Sequence, residues 1–397
     1  MRALDADVVI AGGGLAAQRA CETLRRLGYD GRVRVVCEEP HAPYDRPPLS
    51  KGMLTGARAL RAPSLRQASW YAENDVELLL ANGASAVDPA MRVLELCDGS
   101  KLRYEHLVVA TGSRPRRLAA LAPGGLVLEL RTLDDAVALR HALTGGVERI
   151  AIVGAGLIGM EVASSASSLG VAVTLIEAAP MPLARALPPR LAEWLCDQHR
   201  RAGVEVELGV GVERVHTGRR GVELVLADGR RVSAGLVLVA AGTVAATEWL
   251  AGSGLSCDGP IRVDADGRSA VPRIYVAGDA ACFPDPLTGR HLPTPHWEAA
   301  AHQGAAVARA VVGAARERAQ PPMFWSDQHR VRIQVLGRAE ETNRIDFDGD
   351  PKAPDFIAWL RRGERLLGAF IAGRPRAVPE VRRRLAAADS DQLRAAA

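Results

Sequence analysis

Cysteine is sparse and scattered in this chain: the six residues, at positions 21, 37, 97, 196, 257 and 282, form neither a CxxC pair nor a tight cluster. That spacing excludes a local redox disulfide and a thiolate zinc site, and it reads all six as small buried hydrophobes. The nine histidines are equally dispersed, with no two at metal-ligating helical spacing, so no metal is predicted. Aromatic residues make up only 4% of the chain and no helix-turn-helix pattern accompanies them, which excludes the usual nucleic-acid platforms. No window reaches 18 uninterrupted apolar residues, and the chain enters a strand by residue 7 without a basic, apolar, small-residue progression. The expectation is a soluble cytoplasmic protein with no membrane insertion. A large charge of one sign is also missing, the formal net charge being +4. Arginines crowd only near the end, at Arg361, Arg362, Arg365, Arg374, Arg376, Arg382, Arg383 and Arg384. Such a run reads as a solvated face before it reads as a docking surface for an acidic partner.

What the chain does have is 39 glycines, and two groups of them carry chemistry. Gly12-Gly13-Gly14-Leu15-Ala16-Ala17 follows the apolar run Asp7-Val8-Val9-Ile10, and Gly154-Ala155-Gly156-Leu157-Ile158-Gly159 follows Ile150-Ala151-Ile152-Val153. Each opens a helical pattern. A pyrophosphate must approach the backbone closely and accept N–H bonds from the first turn of a helix, where the dipole is positive, so side chains are unwelcome there. An acidic residue should then end the next strand and bond the adenosine ribose. Arg32-Val33-Arg34-Val35-Val36 runs into Glu38, and Val171-Ala172-Val173-Thr174-Leu175-Ile176 runs into Glu177, 21 positions after Gly156. Ala17 stands where the pattern has its third glycine, a position that governs only helix-to-strand packing. The chain is therefore built to hold two dinucleotides. Glu177 would repel a 2'-phosphate and is followed only by Ala178 and Ala179, so NAD is preferred over NADP at the second turn.

With 397 residues, 48% of them hydrophobic, the chain exceeds one ordinary core and suggests two or three domains. Apolar runs such as Leu107-Val108-Val109-Ala110 and Leu236-Val237-Leu238-Val239 read as buried parallel strands. Each is preceded by a hairpin ribbon, Arg92–Leu96 with a turn at Asp98-Gly99, then Val222–Leu226 with a turn at Asp228-Gly229. The order of parts repeats. The predicted class is α/β: two doubly wound Rossmann-like dinucleotide-binding domains, the second inserted in the first, plus a small α+β C-terminal domain. The expected divisions are 1–115 with 243–318, 116–242, and 319–397. The return to the first domain is marked by Arg273–Asp279, a strand ending in a carboxylate, and by a helix from about Trp297 to Val312. Pro321-Pro322 precedes three strands expected near 330–335, 355–360 and 366–370, and a closing helix near 378–388.

Pro43-Tyr44-Asp45-Arg46-Pro47-Pro48-Leu49-Ser50-Lys51, Ala110-Thr111-Gly112, Ala277-Gly278-Asp279 and Phe324-Trp325-Ser326-Asp327-Gln328 occur in this order. Together they resemble the FAD-dependent, NADH-oxidising ferredoxin reductases that feed Rieske dioxygenases and cytochromes P450, over residues 5 to about 375. The resemblance implies FAD in the first domain, NAD in the second and a [2Fe-2S] ferredoxin as partner. It places Gly12, Gly14, Ala17, Glu38, Arg46, Lys51, Thr111, Arg114 and Asp279 around FAD, and Gly154, Gly156, Gly159, Glu177 and Gly242 around NAD. Arg46 suits a pyrophosphate, and Asp279 suits a ribityl hydroxyl while remaining compatible with a helix N-cap. Lys51 and Glu161 are the implied catalytic pair near the flavin N5, a cation for the anionic reduced ring and a carboxylate that fixes it. Trp297 and Trp325 are placed by the isoalloxazine, whereas His296 reads as structural.

Pro295, Ala299 and Ala305 depart from that pattern around Trp297, as do Ala245 and Ala246 after Gly242. They motivate a second reading, an NADH-dependent flavoprotein that reduces a small acceptor such as a quinone or oxygen. A third is a redox-sensing protein that holds FAD and NAD for interaction rather than turnover. The lack of CxxC or CxxxxC beside either glycine turn argues against glutathione- or thioredoxin-reductase chemistry.

Overall fold

The computed structural model describes residues 4–396, apart from 62, 185, 219, 220, 256, 287, 318, 319 and 340. Two compact units emerge: Met1–Asp45 with Ala62–Arg114 and Val244–Pro322, and Arg46–Arg61 with Pro115–Thr243 and Met323–Ala397.

In the first unit the parallel strands lie in the order Val76–Leu79, Val33–Val36, Leu4–Ala11, Lys101–Val109, with Ile274–Val276 pairing the far side of Lys101–Val109. Alternation along Leu4–Ala11 sends Val8 and Ile10 into one core and Val9 and Ala11 into the other, so both faces are covered and the strand reads as one apolar run. Ala16, Ala17, Ala20, Cys21 and Leu24 recur at helical spacing along Leu15–Arg26 and bury one face, and Arg25 and Arg26 in its last turn suit the negative end of its dipole. Their small side chains share a core with Val307 and Ala308 of Trp297–Val311. Leu107, fully buried in the central strand, contributes about 2 kcal/mol by leaving water.

The second unit repeats the order: Glu205–Leu208, Ala172–Glu177, Arg149–Val153, Leu236–Val239, Val127–Leu128, all parallel. Here the fifth strand comes from before the glycine turn, whereas in the first unit it comes from far after it. That difference is what inserting one such fold into another requires. The predicted ribbons are present, but they attach differently. Val93–Leu96 and Ala84–Asp88 join the first sheet because Lys101–Val109 is long enough to serve both, while Gly235 separates Arg231–Ala234 from Leu236–Val239 and leaves a separate three-stranded sheet. That ribbon covers one face of the second sheet through Val222, Leu224 and Leu226.

Residues 323–396 form a five-stranded antiparallel sheet, ordered Met323–Gln328, Val331–Gly337, Arg365–Ala372, Phe356–Arg362, Arg344–Asp348, with the helix Val378–Ala396 seated on it through Val381 and Leu385. Three of these strands match expectation; Met323–Gln328 and Arg344–Asp348 were not foreseen. Trp194 of the helix Pro189–Arg201 packs edge-on against Phe356 and Phe370 and donates its indole N–H to the Pro351 carbonyl at 2.7 Å. Among the crowded arginines, Arg361 pairs with Asp346, Arg362 with Glu341, Arg374 with Asp348 and Asp355, and Arg384 with Glu380. Among the described residues, no helix is long and apolar enough to cross a membrane.

Candidate functional site

Both glycine-led helices leave their N-termini open. Gly14 caps Leu15–Arg26 and Gly156 caps Leu157–Ser168, each with extended backbone, no side-chain cap bond and no acidic residue in the first turn. Leu133–Thr144 shows the contrast, since Thr132 and Asp135 form a reciprocal capping box and Asp134 adds charge. A Cβ on Gly14 or Gly156 would meet nothing within 4 Å. First-turn N–H groups and the positive dipole end are thus left for an anion from outside the chain, which fits the two pyrophosphates.

The turns themselves are superposable in their constraints. Gly12, at φ +125°, lies against the exit of Lys101–Val109, where a Cβ would sit 2.1 Å from the Ala110 carbonyl oxygen; Gly154 meets Ala240 in the same way at 2.3 Å. Each turn therefore sits where the strand order reverses, the crevice in which open α/β sheets take ligands. The third positions differ. A Cβ on Gly159 would fall 2.0 Å from the Gly154 carbonyl oxygen, yet Ala17 carries its methyl fully buried.

In the first unit, Glu38 is exposed just beyond Val33–Val36, as the spacing predicts. Thr111 donates its hydroxyl to the Ala246 carbonyl at 2.6 Å, and Arg114 pairs with Glu248 at 2.9 Å on the surface. Asp279 accepts from the Ser113 hydroxyl at 2.6 Å and lies within the short turn Gly278–Ala280, so it is not that turn's N-cap. The capping role is thereby corrected. Trp297 opens its helix and donates its indole N–H to Asp45 at 2.7 Å. His296, at the N-cap position, has its pKa lowered by burial, with the Asp279 charge opposing.

In the second unit, the Glu177 carboxylate accepts from the Ala155 and Ala179 backbone N–H groups, both at 2.8 Å. It braces the glycine turn and still has lone pairs for ribose hydroxyls. Gly242, at φ +94°, offers its carbonyl to the Arg116 N–H at 2.9 Å. Arg46 donates to the Arg131 carbonyl at 2.6 Å. Lys51 and Glu161 meet, Nζ to Oε2 at 2.6 Å, and Lys51 also donates to the Pro47 carbonyl at 3.1 Å. Glu161 is only 5% exposed, and a charge so placed needs partners. The Ser50 hydroxyl donates to Oε2 and the Ser326 hydroxyl to Oε1, each at 2.5 Å. Removing one partner of such a buried pair costs about 3–5 kcal/mol. The arrangement holds an ammonium group at a fixed point.

Trp325 lies on the strand Met323–Gln328, opposite Gln334. Phe324, Ser326 and Gln328 face inward on that strand, so its buried side is two-thirds polar and hides the strand period from a hydropathy reading. Ser50, Ser326 and Gln328 were therefore missed as site residues, as was buried His199. The i, i+3, i+4 row Glu161, Ser164, Ser165 on one helix face was the available sequence signal. The cysteine expectation needs one correction: Cys97 is exposed and Cys257 half-buried, while the other four are buried. Burial pushes the thiols of Cys21 and Cys37 up to about 12.

Comparison with known proteins gives a consistent result. Residues 6–304 match the description pyridine nucleotide-disulphide oxidoreductase, and residues 323–397 match reductase C-terminal. The chain is 35% identical to the 3-phenylpropionate/cinnamic acid dioxygenase ferredoxin--NAD(+) reductase component of Photorhabdus laumondii, covering 95% of each chain. It is 38% identical to the chlorobenzene dioxygenase ferredoxin reductase component of a Cupriavidus species, covering 93% of this chain and 90% of that one. The covalent putidaredoxin reductase–putidaredoxin complex superposes with a TM-score of 0.91 at 30% identity, over 96% of this chain and 93% of that one.

Proposed function

The chain belongs to the pyridine nucleotide-disulphide oxidoreductase family and carries its reductase C-terminal domain; from that premise we propose that it is an NADH-dependent, FAD-containing ferredoxin reductase serving a Rieske oxygenase or cytochrome P450. One observation carries this reading: two glycine-led helices with open N-termini at two strand-order reversals, each followed by an acid at the next strand's end. Among the described residues no cysteine is paired, and no CxxC or CxxxxC lies beside either turn, so the disulphide chemistry in the family's name is not this chain's. Relatives named as ferredoxin reductase components support a [2Fe-2S] ferredoxin as acceptor. The cytoplasm is the compartment where NADH and such a partner meet.

Gly12, Gly14, Ala17, Glu38, Arg46, Lys51, Thr111, Arg114, Asp279, Trp297 and Trp325 are the residues proposed for FAD. Gly154, Gly156, Gly159, Glu177 and Gly242 are proposed for NAD. The corresponding domains are 1–115 with 243–318 for FAD, 116–242 for NAD, and 319–397. Flavin, when bound, accepts a hydride and releases electrons singly, the conversion needed between a two-electron donor and a one-electron acceptor. The protein then has orientation and charge to supply. Glu177 selects a ribose that lacks a phosphate, and the fixed Lys51 ammonium favours negative charge on the reduced ring. Hydride transfer requires no general acid or base from the chain. Anaerobic mixing tests the reading: the purified protein should show a yellow flavin spectrum that NADH bleaches far faster than NADPH. A flavin-free protein, or equal bleaching by both nucleotides, would overturn it.

A further inference from the structure

Beyond the Lys51–Glu161 pair, a single file of buried polar side chains continues through the second unit. Ser326 gives its one hydroxyl hydrogen to Glu161 Oε1, which leaves its oxygen free to accept, and the Gln328 amide Nε2 donates to it at 3.0 Å. Gln328 Oε1 faces His199 Nε2 at 3.0 Å, and His199 Nδ1 faces His329 Nε2 at 3.0 Å. Because an amide oxygen only accepts, His199 must carry its hydrogen on Nε2 and accept on Nδ1, and His329 must donate. Every hydrogen in the file then points the same way, His329 to His199 to Gln328 to Ser326, and ends on the carboxylate. Glu161, Ser326, Gln328 and His199 are all buried.

The far end of the file is held as firmly as the near end. His329 and Arg330 form the two-residue turn between Met323–Gln328 and Val331–Gly337, with φ of +47° and +64°, a conformation that asparagine and glycine adopt readily and these residues do not. The turn is kept there by the Ser164 hydroxyl, which accepts from the His329 N–H at 2.7 Å. Ser165 donates to the Ser50 carbonyl at 2.7 Å. One face of Leu157–Ser168 thus grips the Lys51 segment through Glu161 and Ser165 and the strained turn through Ser164. Strain of this kind persists where the surroundings over-determine it, and it is found at sites that serve function.

We infer that Gln328 and His199 are positioning residues for Lys51: the file fixes one oxygen of Glu161 so that the other holds the ammonium at a single point. The inference rests on the proposed role of Lys51 toward the flavin. The file is a strut and not a proton wire, since the Gln328 amide cannot take up a proton on one side and release one on the other. Its worth lies in aim, because an ammonium displaced by a fraction of an ångström loses electrostatic value at the reacting centre.

Stopped-flow reduction of the holoprotein by NADH separates the limiting rate from half-saturation. Gln328→Leu should lower the limiting rate about fivefold, within the range of one neutral hydrogen bond, with half-saturation and FAD content unchanged. Combined with Lys51→Met, it should cause no further loss, because the strut then aims nothing. Ser326→Ala should behave like Gln328→Leu, with Ser326→Thr restoring the rate, which covers the case in which Gln328→Leu fails to fold. In ¹⁵N-histidine spectra, the His199 Nε2–H resonance should shift in Ser326→Ala. Additive losses in the double variant, an unmoved His199 resonance, or a wild-type rate in Gln328→Leu alongside a slow Lys51→Met would overturn the strut. A wild-type rate in Lys51→Met itself would remove the role of Lys51 and the strut with it.

Discussion

Acidification should destabilise this protein by about 3 kcal/mol through His199. The ring is fully buried, and burial first, with the neighbouring His329 charge second, pushes its pKa from 6.5 down to about 4, against the Gln328 hydrogen bond. In the unfolded chain the same imidazole takes up its proton near pH 6.5, whereas the folded protein refuses it until about pH 4. Stability from this residue is therefore complete above pH 6.5 and is lost as pH falls from 6.5 to about 4. The slope is about 1.4 kcal/mol per pH unit, which gives the total of about 3 kcal/mol over that window. His329, His296 and His106 are lowered by burial as well and add losses of the same sign. Urea unfolding at a series of pH values, for the native chain and for His199→Gln, isolates the residue. Glutamine does not titrate, so the stability gap between the two should narrow by about 1.4 kcal/mol for each pH unit below 6.5. Parallel curves would refute the assignment of a buried neutral ring. They would also weaken the hydrogen-bond polarity on which the strut depends.

Three further outcomes follow from individual contacts. Glu177→Ala with Ala178→Arg removes the repulsion of a 2'-phosphate and the brace on the Ala155 N–H, so NADPH should gain on NADH by about tenfold or more in kcat/KM, measured with both nucleotides; unchanged selectivity would remove Glu177 from the site. Gly159→Ala drives a methyl into the Gly154 carbonyl, and it should yield a protein that keeps FAD and is reduced by dithionite but bleaches poorly with NADH. Normal NADH bleaching would show that the second turn does not hold the nucleotide. Timed thiol titration of the folded protein should find one fast group, Cys97, because Cys21, Cys37, Cys196 and Cys282 are buried and burial raises the pKa of half-buried Cys257 and slows it; fast labelling of several would contradict the packing.

The fold was legible where one period rules. Val8–Val9–Ile10 and Ile150–Ala151–Ile152 are apolar on both faces, as strands between two layers must be, and the glycines after them announce their turns. Met323–Gln328 escaped because its inward side carries Ser326 and Gln328, polar groups buried for their partners and not for their hydropathy. Arg344–Asp348 escaped because it is an edge strand with exposed, charged residues at its ends and a half-buried middle, the composition by which edges avoid pairing with other chains. Of the site, the Lys51–Glu161 meeting was anticipated through resemblance, and the structure brings the two together at 2.6 Å. The partners of Glu161 lie 111 and 165 positions away in the chain, beyond the reach of any local pattern. Cys97 could not be told from its buried counterparts because composition alone does not say which edge of a hairpin faces water.

The most direct test of electron transfer to ferredoxin is the rate of cytochrome c reduction by NADH with the purified flavoprotein, with and without an added [2Fe-2S] ferredoxin. A large ferredoxin-dependent rate that NADPH does not reproduce is the predicted result. Rapid flavin bleaching by NADH with a rate that ferredoxin leaves unchanged would contradict it and direct the electrons to a small-molecule acceptor.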